Sequence, residues 1–130
     1  MAHPNEDLVR AAFEAFSKGD LDTLHGQFLA EGIVWHVPGQ APLGGEYTGT
    51  GQVRDYLSKA FQLADGTVEM ELHDVLANDR HAVALFRSRA ERKGRRLDTF
   101  DAVIFTVQNG KLTEAWHRSG DPYAAAVFWA

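Results

Sequence analysis

The chain has 130 residues, of which 45% are hydrophobic and 24% are charged, and its formal net charge is -5. This composition is typical of one globular domain with a hydrophobic core, and we expect residues 1–130 to form a single domain. The acidic balance argues against a nucleic-acid partner, and the lack of cysteine excludes disulfides, a thiol nucleophile and thiolate metal sites.

The first ten residues lack the basic-then-apolar pattern of a signal peptide, and no apolar run approaches membrane-spanning length. We therefore expect a cytoplasmic protein without a membrane partner. Six basic side chains cluster around the turn signal Lys93-Gly94, and we interpret this cluster as a solvated turn. Its members are Arg87, Arg89, Arg92, Lys93, Arg95 and Arg96.

The N-terminal segment carries two helical patterns. Asn5 is a good N-cap for a helix over residues 5–17, in which apolar residues recur at helical spacing. Asp20 is the expected cap of a second, shorter helix that ends at Phe28. These two helices present apolar faces that require a partner layer.

The next segment contains a short strand, a loop and a third helix. The strand covers residues 33–37 and ends at a Pro-Gly pair, and the glycine-rich residues 40–51 are expected to form a surface loop. Thr50 is the predicted N-cap of a helix over residues 51–63.

Beyond Asp65-Gly66 the hydrophobic pattern changes from helical spacing to alternation, which predicts strands. One strand begins at Val68, another covers residues 82–90, and a long hairpin lies within residues 97–121. Asp121 and the following proline then start a short C-terminal helix that is expected to cover an open end of the core.

Helices in one block and strands in another predict the α+β class. We expect a strongly curved antiparallel sheet wrapped around three N-terminal helices, with the C-terminal helix at one end. Such a sheet forms a cone, and the enclosed space is either filled or left as an internal pocket.

The long hairpin carries two polar residues in an apolar pattern, Asp101 and His117. If Gly110 closes a type I turn in the left-handed region, Asp101 lies opposite His117 on the same face. A two-residue loop instead pairs Asp101 with Arg118 and sends His117 to the other side of the sheet. The pairing thus depends on the turn register.

Five segments resemble the nuclear transport factor 2-like superfamily and, within it, the SnoaL-like polyketide cyclase and ketosteroid isomerase branch. The resemblance implies a cone-shaped fold, an internal pocket and a homodimer formed through the outer sheet face. The scaffold hosts isomerases, cyclases, dehydratases, epoxide hydrolases and non-catalytic binders. The segments are residues 18–22 (KGDLD), 32–39 (GIVWHVPG), 47–51 (YTGTG), 109–116 (NGKLTEAW) and 120–123 (GDPY).

The resemblance carries over only part of the isomerase machinery. His36 falls where the isomerases place their general-base aspartate. The oxyanion-binding tyrosine would fall at Ala12 and is therefore absent, and the protonated aspartic acid would fall near Val103. We therefore expect a different acid–base set, with His36 as base and Asp101 with His117 as an acid or orienting pair.

Large apolar and aromatic side chains are the candidates for substrate contact, although plain core packing is the alternative for each of them. Trp116 faces away from Asp101 by strand parity and is a candidate for the outer, dimer-forming face. None of the histidines has metal-ligand spacing, and we expect neither a metal nor a cofactor. The substrate-contact candidates are Phe16, Trp35, Tyr47, Tyr56, Phe86, Val103 and Phe105.

These features lead to two hypotheses. The first is a cofactor-independent enzyme that moves a proton at a carbon next to a carbonyl group of a small hydrophobic molecule, as isomerases, cyclases and dehydratases do. The second is a non-catalytic module that binds a small molecule or mediates dimerisation. A pocket of several hundred cubic ångströms that reaches at least two of the three polar residues favours the enzyme.

Overall fold

A computed structural model of the chain describes residues 3–39, 43–65 and 67–130. Its helices are α1 (Pro4–Ser17), α2 (Leu21–Thr23), a π-helix (Leu24–Phe28), α3 (Gly49–Leu63) and α4 (Pro122–Trp129). Its strands are β1 (Leu29–Val37), β2 (Gly45–Thr48), β3 (Glu69–Ala77), β4 (His81–Arg92), β5 (Arg95–Gln108) and β6 (Lys111–Arg118).

The strands form one curved sheet that does not close on itself, in the order β2-β1-β6-β5-β4-β3. Its concave side holds the helices, which confirms the predicted α+β cone. The prediction of a purely antiparallel sheet is wrong at one place, because β1 and β6 run parallel. Strand β1 lies between β2, its neighbour in sequence, and β6, the last strand, so a long crossover separates the parallel pair in the chain.

The predicted loop over residues 40–51 contains a strand and the start of a helix. Gly45–Thr48 form β2 at the sheet edge, and α3 begins at Gly49, so Thr48 and not Thr50 occupies the N-cap position. The glycine-rich sequence of this segment does not favour a strand. It forms β2 because it pairs with β1 and not because of its own strand propensity. Residues 40–42 of that loop and Gly66 of the predicted turn lie outside the described residues.

The N-cap of α1 is His3, whose Nδ1 accepts a hydrogen bond from the main-chain N–H of Asn5 at 3.0 Å. The predicted cap at Asn5 is therefore wrong, because Pro4 already suits the first helical position, where its missing N–H has no consequence. The second helical segment ends at Phe28, as predicted, but only Leu21–Thr23 are α-helical and Leu24–Phe28 form a π-helix. Helix α1 buries Val9, Ala12 and Phe13 against the sheet.

The hairpin between β5 and β6 corrects the predicted turn. Asn109 and Gly110 both have positive φ, and Gln108 pairs with Lys111, which is a two-residue type I′ loop. A bulge follows at once, because β6 inserts one extra residue between two successive pairs. Val103, not Asp101, therefore lies opposite His117.

The bulge reverses the side-chain parity of β6 after the turn. A two-residue loop with uninterrupted pairing would have directed His117 to the outer face, and the extra residue returns it to the inner face. Asp101 and Val103 are two residues apart on β5, so Asp101 and His117 share that inner face. The predicted face is correct, whereas the predicted register is wrong.

Helix α4 packs over the far end of the β4–β5 hairpin, as predicted, and Asp121 caps it through Ala124 N–H at 3.0 Å. Phe128 fills a second apolar cluster, separate from the main core, with Ala64, Ala90 and Leu97. The interpretation of the basic cluster as solvated is wrong for Arg92, which is buried and donates to the main-chain oxygen of Ala130 at 2.7 Å.

Within the described ranges, no helix is both long and apolar enough to cross a membrane.

Candidate active site

An internal cavity of about 470 Å³ lies between the concave sheet face and the helices. Side chains of α1, α3 and α4 form one side, and β1 with β3 to β6 form the other. Its lining is mostly apolar, as expected for a site that binds a small hydrophobic molecule. Most of the predicted substrate-contact residues line it, namely Phe16, Trp35, Tyr56, Phe86, Val103 and Phe105.

Asp101 and His117 both line this cavity and contact each other. Asp101 Oδ2 lies 3.0 Å from His117 Nε2, and Asp101 Oδ1 accepts a hydrogen bond from the main-chain N–H of Gly120 at 3.0 Å. The Asp101 side chain is only 5% exposed, whereas that of His117 is 24% exposed. A buried carboxylate is thus held by two donors, while the imidazole reaches the open space.

The ionisation of Asp101 determines the form of the histidine. Burial raises the pKa of the Asp101 carboxyl. The hydrogen bonds from His117 and from Gly120 N–H, together with the charge of His117, lower the pKa by more than burial raises it, so it lies below its ordinary value of 3.8. Asp101 is therefore an acceptor-only carboxylate near neutral pH, so Nε2 of His117 must carry the proton. In the neutral ring, Nδ1 then bears a lone pair that can accept a proton.

Aromatic side chains surround the pair. Phe86 pairs with Asp101 across β4 and β5, and its ring centroid lies 6.2 Å from that of His117. Phe13 from α1 packs on Phe86 with centroids 5.1 Å apart. The pair therefore sits in an environment that excludes much of the water, where electrostatic interactions are stronger than in bulk solvent.

Tyr56 of α3 lines the cavity and carries a hydroxyl group. Burial raises the pKa of the Tyr56 phenol, and the neighbouring ionisable groups of Tyr47 and Asp101 raise it further. The phenol therefore remains protonated across the physiological range and can donate a hydrogen bond.

Two predicted site residues do not line the cavity, and the first is His36. Its neighbour Trp35 faces inward, so alternation along β1 directs His36 to the outer face of the sheet. There its ring stacks on Trp116 with centroids 5.5 Å apart, and Nε2 lies 2.7 Å from Glu114 Oε2. The prediction of His36 as a base inside the cavity is therefore wrong.

The second is Tyr47 of β2. Its hydroxyl donates to the main-chain oxygen of Leu43 at 2.6 Å, and its ring stacks on Tyr56 with centroids 4.6 Å apart. Tyr47 thus supports a cavity residue without lining the cavity itself.

Several cavity residues escaped the sequence analysis. Ser88 lies two residues beyond Phe86 on β4, so strand parity from an inward neighbour would have identified it, whereas Ser119 lies beyond the end of β6, where parity no longer applies. Met70 of β3 and Trp129 of α4 also line the cavity, but no local signal distinguishes them from ordinary core residues. In the described part of the chain, no group of three or more His, Cys, Asp or Glu side chains is arranged to hold a metal ion.

Comparison with known proteins gives consistent matches over almost the whole chain. Residues 9–115 match the SnoaL-like domain. An uncharacterized protein of Mycobacterium tuberculosis is 40% identical over 125 residues, which covers 95% of both chains. The match to the domain covers α3 and most of α1 and of the sheet, and it ends before His117 and α4.

Solved structures show the same fold. Bal32a, from a soil-derived mobile gene cassette, is 30% identical and superposes with a TM-score of 0.92 over 98% of this chain and 97% of that chain. TerC, co-crystallized with polyporic acid, is 17% identical with a TM-score of 0.84 over 97% of this chain and 98% of that chain. At that identity the likeness to TerC concerns the fold alone.

Proposed function

The chain belongs to the SnoaL-like domain family, and from this premise we propose that it is an acid–base enzyme acting on a small hydrophobic molecule that contains a carbonyl group. The observation that carries the proposal is the contact between Asp101 and His117 at the wall of an apolar cavity of about 470 Å³. This cavity reaches two of the three polar residues singled out from the sequence, which favours the enzyme over a passive binder.

The proposed reaction begins with a proton transfer. Nδ1 of His117 accepts a proton from the carbon next to the carbonyl; the electron pair of that C–H bond forms a C=C bond, and the π pair of the C=O bond moves to the oxygen. Asp101 stabilises the imidazolium that forms, because its carboxylate already holds Nε2–H. The neutral phenol of Tyr56 is the candidate donor to the developing oxyanion.

The enolate can then follow one of three courses. Return of the proton from His117 to a different carbon gives isomerisation. Departure of a hydroxyl group from the β-carbon, which takes the proton from His117 and leaves as water, gives dehydration. Attack of the enolate carbon on a second carbonyl of the same molecule gives an aldol-type cyclisation. Each course uses the same base and the same donor, so this chemistry requires no cofactor.

The proposal predicts that the protein exchanges protons next to a ketone. We expect the wild-type protein in D2O to incorporate deuterium into the α-carbons of hydrophobic cyclic ketones such as 2-tetralone, at a rate well above that of buffer. His117→Gln should lose this exchange almost entirely, because a base positioned for proton transfer contributes about 10²–10⁴-fold. Proton NMR of the ketone measures the rate.

The matched control is His36→Gln, which also removes a histidine held by a carboxylate but lies on the outer face. This variant should exchange the ketone protons at the wild-type rate. Thermal melting establishes that both variants are folded. Equal exchange by wild type and a folded His117→Gln would contradict the assignment of the base.

A non-catalytic binding module is the second candidate, and the dominance of apolar side chains in the cavity lining supports it. TerC, which has the same fold, was co-crystallized with polyporic acid, and this supports a small-molecule ligand under either hypothesis. Native mass spectrometry of the purified protein would detect a retained ligand. A ligand that binds tightly and is recovered unchanged, with no α-proton exchange in any ketone tested, would favour the binder.

We also infer that the protein forms a homodimer through the outer sheet face. Four apolar residues, directly opposed on consecutive strands, cross this face in one row. The last of them, Trp116, stacks on His36, and beside it lies Glu114. An apolar row of this kind, with charged groups at its end, is suited to pack against the same face of a second copy of the chain. The row is formed by Leu76, Val83, Ile104 and Trp116.

A further inference from the structure

Gly120 lies just beyond the end of β6, where the chain leaves the sheet toward α4. Its main-chain N–H donates to Asp101 Oδ1 at 3.0 Å, while His117 holds the other carboxylate oxygen at the same distance. The carboxylate is therefore fixed at both oxygens, and one of the two donors belongs to the backbone. A backbone donor cannot change rotamer, so it defines the position of the carboxylate more strictly than a side chain does.

The backbone of Gly120 approaches β5 so closely that no larger residue fits. A Cβ atom built on Gly120 would overlap the carbonyl oxygen of Phe100, the residue that precedes Asp101. Unlike Gly110, Gly120 does not have a positive φ, so the requirement for glycine arises from this approach and not from backbone strain. Any side chain would push the 119–121 segment away from β5 and lengthen the bond to Asp101.

The position of Asp101 in turn determines how His117 presents its ring. A carboxylate held at one oxygen alone can rotate about its χ2 angle, and the imidazole that it orients would then sample other positions and both neutral tautomers. The chain after Gly120 continues into Asp121 and α4, so the same link also ties the carboxylate to an element that lines the cavity.

We propose that Gly120 is a positioning residue, whose main-chain N–H and close approach to Phe100 hold Asp101 in the orientation that keeps His117 ready as a base. The proposal rests on the proposed function for the role of His117. The bond itself, and its effect on the imidazole, can be measured without any substrate.

The first experiment measures the bond in the folded protein. Gly120 N–H should exchange with D2O slowly in wild type and about tenfold faster in Asp101→Ala, because loss of the charged acceptor removes a charge-assisted hydrogen bond. The N–H groups of β3, which are remote from Asp101, should keep their exchange rates in the same variant. Equal Gly120 exchange in the two proteins would overturn the proposal.

The second experiment measures the consequence for His117. At alkaline pH the ring ¹⁵N shifts of the wild type should show one neutral form, with the proton on Nε2, and Gly120→Ala should show a mixture of both tautomers. Gly110→Ala is the control, because it strains the backbone of the β5–β6 loop but does not contact Asp101. It should lower the melting temperature and leave the His117 shifts unchanged.

A folded Gly120→Ala protein with the wild-type ¹⁵N pattern would also overturn the proposal. If this variant does not fold, the amide exchange of Gly120 in wild type and Asp101→Ala still decides the outcome. Failure of the proposed function would look different: the Gly120 bond and the single tautomer would be present, but no ketone would exchange its α-protons.

Discussion

At the scale of single residues, the two histidine–carboxylate pairs show why burial and not pairing alone defines the site. His117 with Asp101 and His36 with Glu114 have similar contact distances, 3.0 and 2.7 Å. Glu114 is 36% exposed, so water screens its charge, whereas Asp101 is 5% exposed. Removal of one partner therefore leaves an uncompensated polar group in a dry site only for the inner pair.

We predict that Asp101→Asn destabilises the protein by about 1–3 kcal/mol at neutral pH, because the buried donors of His117 and Gly120 lose their charged acceptor. Urea denaturation followed by circular dichroism measures the change. Asp98→Asn is the control on the same strand, because Asp98 is exposed and pairs with Arg87. We expect a smaller loss for it. An equal effect of the two substitutions would contradict the buried, doubly held state of Asp101.

The difference between wild type and Asp101→Asn should also depend on pH. A carboxyl group whose pKa is lowered by folding stabilises the native state above its ordinary pKa, and this contribution disappears as the pH falls through the folded value. The advantage of the wild type should therefore be complete above pH 3.8 and decrease below it. Denaturation curves over acidic pH values measure this dependence.

At the scale of elements, the bulge on β6 and the docking of α4 bring the site together. The bulge returns His117 to the inner face after a turn that would have directed it outward. Helix α4 is held at its C-terminal end by the β4–β5 hairpin, where Arg92 and Arg95 donate to main-chain oxygens of residues 127, 128 and 130. Cationic donors at this end also complement the helix dipole.

We predict that Arg92→Met lowers stability by about 1–3 kcal/mol and loosens α4, because the buried guanidinium no longer donates to the main-chain oxygens of Phe128 and Ala130. Hydrogen exchange of the α4 amides should accelerate more than that of the β5 amides. Arg96→Met is the control from the same hairpin, since the Arg96 side chain is 79% exposed and contacts Glu91 at 3.4 Å. Its α4 amides should exchange at the wild-type rates. Unchanged α4 exchange in Arg92→Met would contradict the role of this arginine.

At the scale of the whole molecule, the two faces of the sheet differ in character. The concave face encloses the cavity and the inner pair. The convex face carries the apolar row, whose member Leu76 is 56% exposed, and also Phe100, which is 51% exposed. An apolar surface of this kind is typical of a contact between subunits. The inferred homodimer would cover it and leave the cavity accessible from the opposite side.

We predict that Trp116→Glu shifts the protein from dimer to monomer, because a second carboxylate beside Glu114 would be desolvated in the interface. Sedimentation equilibrium measures the assembly state, and circular dichroism verifies the fold. Tyr123→Ser is the control, because this tyrosine is 80% exposed on α4 and lies outside the sheet. It should not change the assembly state. A dimer that persists in folded Trp116→Glu would place the interface elsewhere.

The sequence by itself was sufficient for the fold class and most elements, because local periodicity and turn chemistry are encoded within a few residues. Alternation after Val68, the cap at Asp121 and the Asn109-Gly110 turn signal all correspond to observed features. The order of helices and strands predicted the cone, and the resemblance to the family added the expectation of an internal pocket. The edge strand β2 was missed because its pairing partner, and not its own residues, makes it a strand.

Tertiary structure alone decided which polar residues share the cavity. Strand parity shows that Trp35 and His36 face opposite sides, but only the packing of β1 against the helices shows that Trp35 is the inward one. The bulge on β6 arises from strand pairing and carries no local signal, yet it determines the face of His117. The contact between Gly120 and Asp101 could not be predicted either, because the two residues are nineteen positions apart and meet only when the segment after β6 packs against β5.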